Sequence, residues 1–126
     1  MFNIAYKQII LIMLASLLIF TKMAISSDKN STVPDKFELG QNYPNPFNPS
    51  TSINYRLPWR AFVVLKIYNI LGQDIRTLVN APNAKGLHTV KWNGTDERGF
   101  PVASGVYFYR LAAGDFSQIR RMVLLR

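Results

Sequence analysis

The sequence predicts an all-β protein, an antiparallel β-sandwich of about seven strands behind a cleavable signal peptide. Three observations carry this reading. After residue 50, apolar residues recur at every second position wherever a period exists, the spacing of a strand with one buried face. Clusters of Gly, Pro, Asn and Asp separate those runs. No helical spacing of apolar residues occurs after residue 27.

The elements follow in chain order. Lys7 precedes the twelve-residue apolar run Ile9 to Phe20, whose weakly polar member is Ser16, and Ala24-Ile25-Ser26 follows. A basic flank, a short apolar run and small residues before the cut form a secretory signal peptide over 1–26, with cleavage expected after Ser26. At 1.5 Å per residue that run spans about 18 Å, short of the ~30 Å hydrocarbon core, so a retained anchor is not expected. Residues 27–36 are polar and without period, and read as a flexible leader. The folded domain is expected over 37–126.

It opens with Phe37 and Leu39 and then the block Tyr43-Pro44-Asn45-Pro46-Phe47-Asn48-Pro49. Each proline restricts its own φ and biases Tyr43, Asn45 or Asn48 toward extended backbone, so this block is neither helix nor central strand. Phe37, Leu39, Tyr43 and Phe47 are apolar anchors that a solvated linker would not need, which predicts an ordered segment lying along the domain. Ser52 to Leu57 alternates, with Ile53, Tyr55 and Leu57 on one face. Phe62 to Tyr68 follows, with Val63, Leu65 and Ile67 inward. Asn69 to Gly72 is a turn, Gln73 to Val79 a strand, and Asn80 to Gly86 loop chemistry throughout. Leu87 to Trp92 alternates again, with His88, Val90 and Trp92 sharing a face. Asn93 to Gly99 is a turn-rich loop, followed by Val102 to Gly105. Val106 to Ala112 is a strand, Gly114-Asp115 a turn, and Phe116 to Leu125 the closing strand.

About seven short strands over roughly 100 residues suit an immunoglobulin-like sandwich. The chain has no Cys, so the sandwich must close by packing alone. Trp92, Tyr107, Tyr109, Leu65 and Ile67 are the expected core, and Tyr107 is the candidate for a tyrosine corner, its hydroxyl bound to backbone.

Composition narrows function. Without Cys there is no disulfide scaffold, thiol nucleophile or cysteine metal site, and one His cannot build a multi-histidine site. No enzymatic activity, cofactor or metal is expected. His88 with Ser104 and Asp96 would be the available triad, but no nucleophile elbow surrounds Ser104 and His88 sits within a strand pattern. The loop holding Asn93, Asp96, Glu97 and Gly99 lacks the alternate oxygens of a calcium loop. Asn30-Ser31-Thr32 matches a glycosylation acceptor weakly. The formal charge is +8, and the signal peptide takes Lys7 and Lys22 but no acid with it. The remaining basic residues are scattered apart from Arg120, Arg121 and Arg126, so nucleic acid is not an expected partner; acidic envelope components suit the excess better. The apolar terminal run is suited to pairing at a sheet edge or to being read by a receptor.

Three blocks together resemble a known family. Phe37 to Thr51 is similar to the opening motif of the type A C-terminal sorting domain of type IX secretion cargo. Val64 to Val79, with Gly72, resembles its middle motif, and Gly105 to Leu111 with Arg121 to Arg126 its end. Trp92 to Tyr107 also resembles the immunoglobulin-like domain of the flagellar hook-capping protein. The resemblance covers 37–126 and implies a non-enzymatic role. It implies export through the inner membrane, folding in the periplasm, and recognition by the outer-membrane translocon. A surface sortase then joins cargo to lipopolysaccharide, at the cell surface or outside the cell. Carried over by residue, the recognition element is Arg121, Met122, Val123, Leu124, Leu125 and Arg126, and Tyr43 to Thr51 is the structural opening. Such domains ordinarily close a long cargo, whereas about ten residues separate the expected cleavage site from Phe37. A stand-alone remnant, a fragment of a longer reading frame and a small secreted module all fit that spacing. The alternative expectation is a secreted binding module of the same fold, an adhesin or an appendage subunit resembling the hook cap.

Overall fold

A computed structural model describes residues 36–126; the signal peptide, all of the leader before Lys36 and the Asn30 acceptor lie outside the described residues. Seven strands form: β1 (Glu38–Leu39), β2 (Thr51–Leu57), β3 (Ala61–Asn69), β4 (Asp74–Asn83), β5 (Gly86–Trp92), β6 (Gly105–Ala113) and β7 (Phe116–Leu124). They pair antiparallel in two sheets, β1-β2-β5 and β4-β3-β6-β7. This is an immunoglobulin-like sandwich with the fourth strand on the larger sheet.

The period-two residues meet between the sheets. Ile53, Tyr55 and Leu57 of β2 and Trp92 of β5 face Val63, Leu65 and Ile67 of β3, Tyr107, Tyr109 and Leu111 of β6, and Met122 and Leu124 of β7. All are buried, and burying each large apolar side chain contributes roughly 1.5–3 kcal/mol against leaving it in water. Trp92 lies between the rings of Phe47 and Tyr107, with centroids 5.6 and 5.4 Å away. Tyr107 donates its hydroxyl to the Ala103 carbonyl at 2.6 Å, four residues upstream.

Three expectations need correction. Asn80 to Asn83 is strand rather than loop, and β4 runs straight through Pro82. β4 is an edge strand paired to β3 alone, so the missing Pro82 N–H interrupts no ladder on its far side. Two register shifts between β3 and β4, skipping Leu78 and Ile75, blur the alternation that would have announced its full length. Tyr43 is no anchor: its side chain is 81% exposed, while Leu39 and Phe47 are buried and Phe37 stacks on Phe116 at the margin. The closing strand ends at Leu124, and Leu125 projects into solvent.

Candidate functional site

The strand directions carry the separated motifs to one end of the sandwich. Asn69 at the end of β3 pairs with Tyr107, which pairs with Met122; Gly105 at the start of β6 pairs with Leu124; Thr51 at the start of β2 pairs with Trp92 at the end of β5. The β3–β4 turn, the 93–104 loop, the proline block and the C-terminus therefore share that end. Gly72 closes the turn with φ +78°, its N–H donating to the Asn69 carbonyl at 3.0 Å. Asn69 Oδ1 accepts from the N–H groups of Leu71 and Gln73, both at 3.0 Å.

The proline block covers the outer edge of β7. Phe47 N–H donates to the Val123 carbonyl at 3.0 Å, and Leu125 N–H donates to the Phe47 carbonyl at 2.9 Å. Val123 N–H donates to Asn45 Oδ1 at 3.0 Å, and Gln41 Nε2 donates to the Arg121 carbonyl at 2.8 Å. A parallel bridge joins Phe47 to Leu124. The peptide bonds before Pro44, Pro46 and Pro49 are cis. Unpaired edge groups of a terminal strand invite another chain, and here a segment nearly eighty residues upstream occupies them.

A buried polar network holds the block in place. Tyr109 hydroxyl donates to the Gly40 carbonyl at 2.7 Å and accepts from Asn42 N–H at 2.8 Å. Asn42 is itself buried, and its Nδ2 donates to Thr51 Oγ1 at 3.0 Å and to the Pro44 carbonyl at 3.1 Å. Arg120 Nε donates to the Leu39 carbonyl at 2.6 Å. Burial pushes the Tyr109 phenol above its ordinary pKa, against the Asn42 hydrogen bond and the Arg120 charge. The sequence reading assigned none of Gln41, Asn42, Thr51 or Arg120 a role in this network. Their signal is weak: polar residues near prolines and arginines in strands are commonplace, and what sets Asn42 and Thr51 apart is their burial.

Arg126 ties the terminus to the 93–104 loop. Its N–H donates to Ser104 Oγ, its Nε to the Val102 carbonyl and its guanidinium to the Gly94 carbonyl, at 2.8, 2.8 and 2.7 Å. Gly94 has φ +71°, and a Cβ there would meet the Arg126 guanidinium at 2.8 Å and the Pro49 carbonyl at 3.1 Å. Burial raises the Tyr107 phenol, opposed by the Arg126 charge. Within the loop, desolvation raises the Asp96 carboxyl. The bonds from Phe100 N–H and the Arg98 side chain and N–H, with the Arg98 charge, outweigh it and hold that carboxyl below its ordinary value.

Of the six terminal residues, Met122 and Leu124 are core, Val123 is half-buried, and Arg121, Leu125 and Arg126 are exposed. The other chemical candidates are not brought together. His88 stacks on Tyr55 at 5.2 Å with its Nε2 2.7 Å from the Ala84 carbonyl. Ser104 accepts from Arg126, and Asp96 bonds its own loop. Among the described residues no group of His, Cys, Asp and Glu could hold a metal.

Dimeric latent PorU from Porphyromonas gingivalis matches 76% of this chain at 20% identity and a TM-score of 0.59, over 10% of its own length. PorZ, described as an essential bacterial surface component of the type-IX secretion system of the same organism, matches 73% at 26% identity and a TM-score of 0.48, over 12% of its length. The chain thus spans about a tenth of each structure, and the likeness to PorU is one of fold. A search of the curated proteins returns no match. The model of the FlgD Ig-like domain matches residues 48–115, from the end of the proline block through β6 and into the turn before β7. With more than half of its residues inside that match, the chain belongs to the FlgD Ig-like domain family.

Proposed function

We propose that the protein is a non-enzymatic, exported sorting and anchoring domain, recognised by the outer-membrane translocon of type IX secretion and delivered through the periplasm to the cell surface. One observation carries the reading. The segments outside the family match, before residue 48 and after 115, are bonded to each other through Phe47, Asn45, Val123 and Leu125. They also hold most of the opening motif, Phe37 to Thr51, and the Arg121 to Arg126 part of the closing motif by which the sequence resembles sorting domains. Met122 and Leu124 lock the strand into the core, and the covered edge leaves Arg121, Leu125 and Arg126 as the outward features a receptor can read. A sortase and lipopolysaccharide are the further partners this reading implies.

The family match favours a second reading, an exported binding module attached to an appendage, as its hook-cap namesake would be. A reporter inserted between Ser27 and Phe37, in a host with type IX machinery, separates the two. Deleting Met122 to Arg126 would not, because it removes two core side chains. The informative variant combines Arg121→Glu with Leu125→Asp, with folding checked by circular dichroism. Surface reporter in the parent, trapped in the periplasm in this variant, is the expected result. Delivery indifferent to the variant, or a parent that never leaves the periplasm, overturns the sorting reading in favour of the second.

A further inference from the structure

The two outer faces of the sandwich differ in a way burial of the core does not require. On the β1-β2-β5 sheet the outward positions of β2 and β5 hold Ser52, Asn54, Arg56, Thr89 and Lys91, with Leu87 as the large apolar member. This is the polar pattern of a solvated face. The outward positions of the β4-β3-β6-β7 sheet follow another pattern. Its cross-strand register sets Tyr68, Phe108 and Arg121 in one row and Lys66, Arg110 and Ile119 in the next. Beyond the first row stands the β3–β4 turn, with Ile70 and Leu71 exposed by 70% and 77%; Ile119 is exposed by 60%. Between turn and sheet lies a depression of about 460 Å³, lined by Tyr68, Ile70, Phe108, Arg110 and Ile119 among others.

The charge on this face is mainly positive: Lys66, Arg110 and Arg121 stand against Asp74, the cross-strand partner of Tyr68. Lys66 pairs with Asp74 at 3.2 Å. Arg110 donates to Ser117 Oγ at 2.9 Å, and neither it nor Arg121 is in any ion pair among the described residues. An apolar depression with unneutralised guanidinium groups beside it fits an apolar side chain flanked by carboxylates.

We propose that this face docks an acidic protein segment, in which an aliphatic or aromatic side chain fills the depression and neighbouring Asp or Glu residues pair with Arg110, Lys66 and Arg121. A second copy of the chain would set the same cations against each other. A lipid surface would contact the protruding turn but could not fill a depression floored by sheet side chains. The face shares Arg121 with the terminal recognition element, but its tests fall on Arg110, Lys66 and Ile119, outside that element, so failure of this inference and failure of the sorting reading are distinguishable.

The probe is a displayed library of random peptides selected on the purified full chain. Peptides combining large apolar residues with Asp or Glu should be enriched. Their affinity should fall at least about tenfold in both Arg110→Glu and Ile119→Asp, with near-ultraviolet circular dichroism unchanged. Selection on the Lys66→Glu/Arg110→Glu double variant should turn the enrichment toward Lys and Arg. Three outcomes overturn the proposal. One is no enrichment, or enriched peptides indifferent to all of these variants. Another is a wild-type dimer in sedimentation that Ile119→Asp dissociates, which assigns the face to a second copy. The third is binding to phosphatidylglycerol vesicles, lost in the same variants, without peptide binding.

Discussion

Tyr109 satisfies two main-chain groups of the opening segment while sitting in the core, so its hydroxyl matters more than its ring area suggests. Tyr109→Phe keeps the ring but strands the Gly40 carbonyl and the Asn42 N–H, which should lower stability by about 1–3 kcal/mol in urea unfolding at neutral pH. The alkaline limb is informative as well. A phenol raised by burial keeps its stabilising effect below the ordinary value of 10.0 and loses it as pH rises through the raised value. Unfolding measured above pH 10 should therefore be less steeply pH-dependent in Tyr109→Phe than in the parent. Asp96 works in the opposite sense. Its lowered carboxyl contributes above 3.8, the ordinary value, and that contribution fades as pH falls, so Asp96→Asn should flatten the acid limb. Gly94 and Gly99 form a matched pair, with φ +71° and +86°. Gly99→Ala meets open space and should cost only the backbone strain, about 1 kcal/mol. Gly94→Ala must also displace Arg126 and press on the Pro49 carbonyl, so its melting temperature should fall further.

The proline block and β7 behave as one element although they lie at opposite ends of the domain's sequence. If the block covers the edge, Asn45→Ala should speed amide exchange at Val123, whose N–H it accepts, by roughly tenfold. Met122, paired with Tyr107 on the opposite side, should keep its protection. Equal acceleration at both amides would mean the whole strand had loosened. Phe47→Ala removes a buried ring beside Trp92 and should cost about 3–5 kcal/mol in denaturant unfolding. That the block is ordered was legible from Leu39 and Phe47, because solvated linkers do not carry such residues. Which edge it covers was not, since prolines restrict backbone angles without specifying a distant partner. Pro82 teaches the converse. Its local signal reads as loop, and pairing on one side only makes it strand.

For the whole molecule, two tryptophans report separately. Trp92 is 1% exposed at the motif-bearing end, and Trp59 is 61% exposed at the other. Acrylamide should quench Trp59 in the native protein and leave Trp92 protected. On unfolding, the Trp92 emission change should coincide with the loss of β-sheet circular dichroism, as expected of one cooperative core. Separate midpoints would show that the two ends unfold independently. Trp92→Phe should abolish most of the native-state emission difference while leaving the exposed signal in place.

The sequence by itself determined the all-β class, most strand positions and the identity of the core. Alternation of apolar residues is a local property: Ile53, Tyr55 and Leu57, or Val63, Leu65 and Ile67, bury one face whatever they pair with. The motifs likewise marked Pro44 to Pro49, Trp92, Tyr107 and the terminal run as special before any partner was visible. Only the tertiary structure decided that these meet at one end and that Phe47 covers the edge of β7. It also decided that Met122 and Leu124 point inward while Arg121 and Leu125 stay outside, and that Tyr68, Phe108, Arg110 and Ile119 form one surface. Those facts depend on strand order and register, set by the joint packing of residues from different strands, which no single strand's alternation encodes.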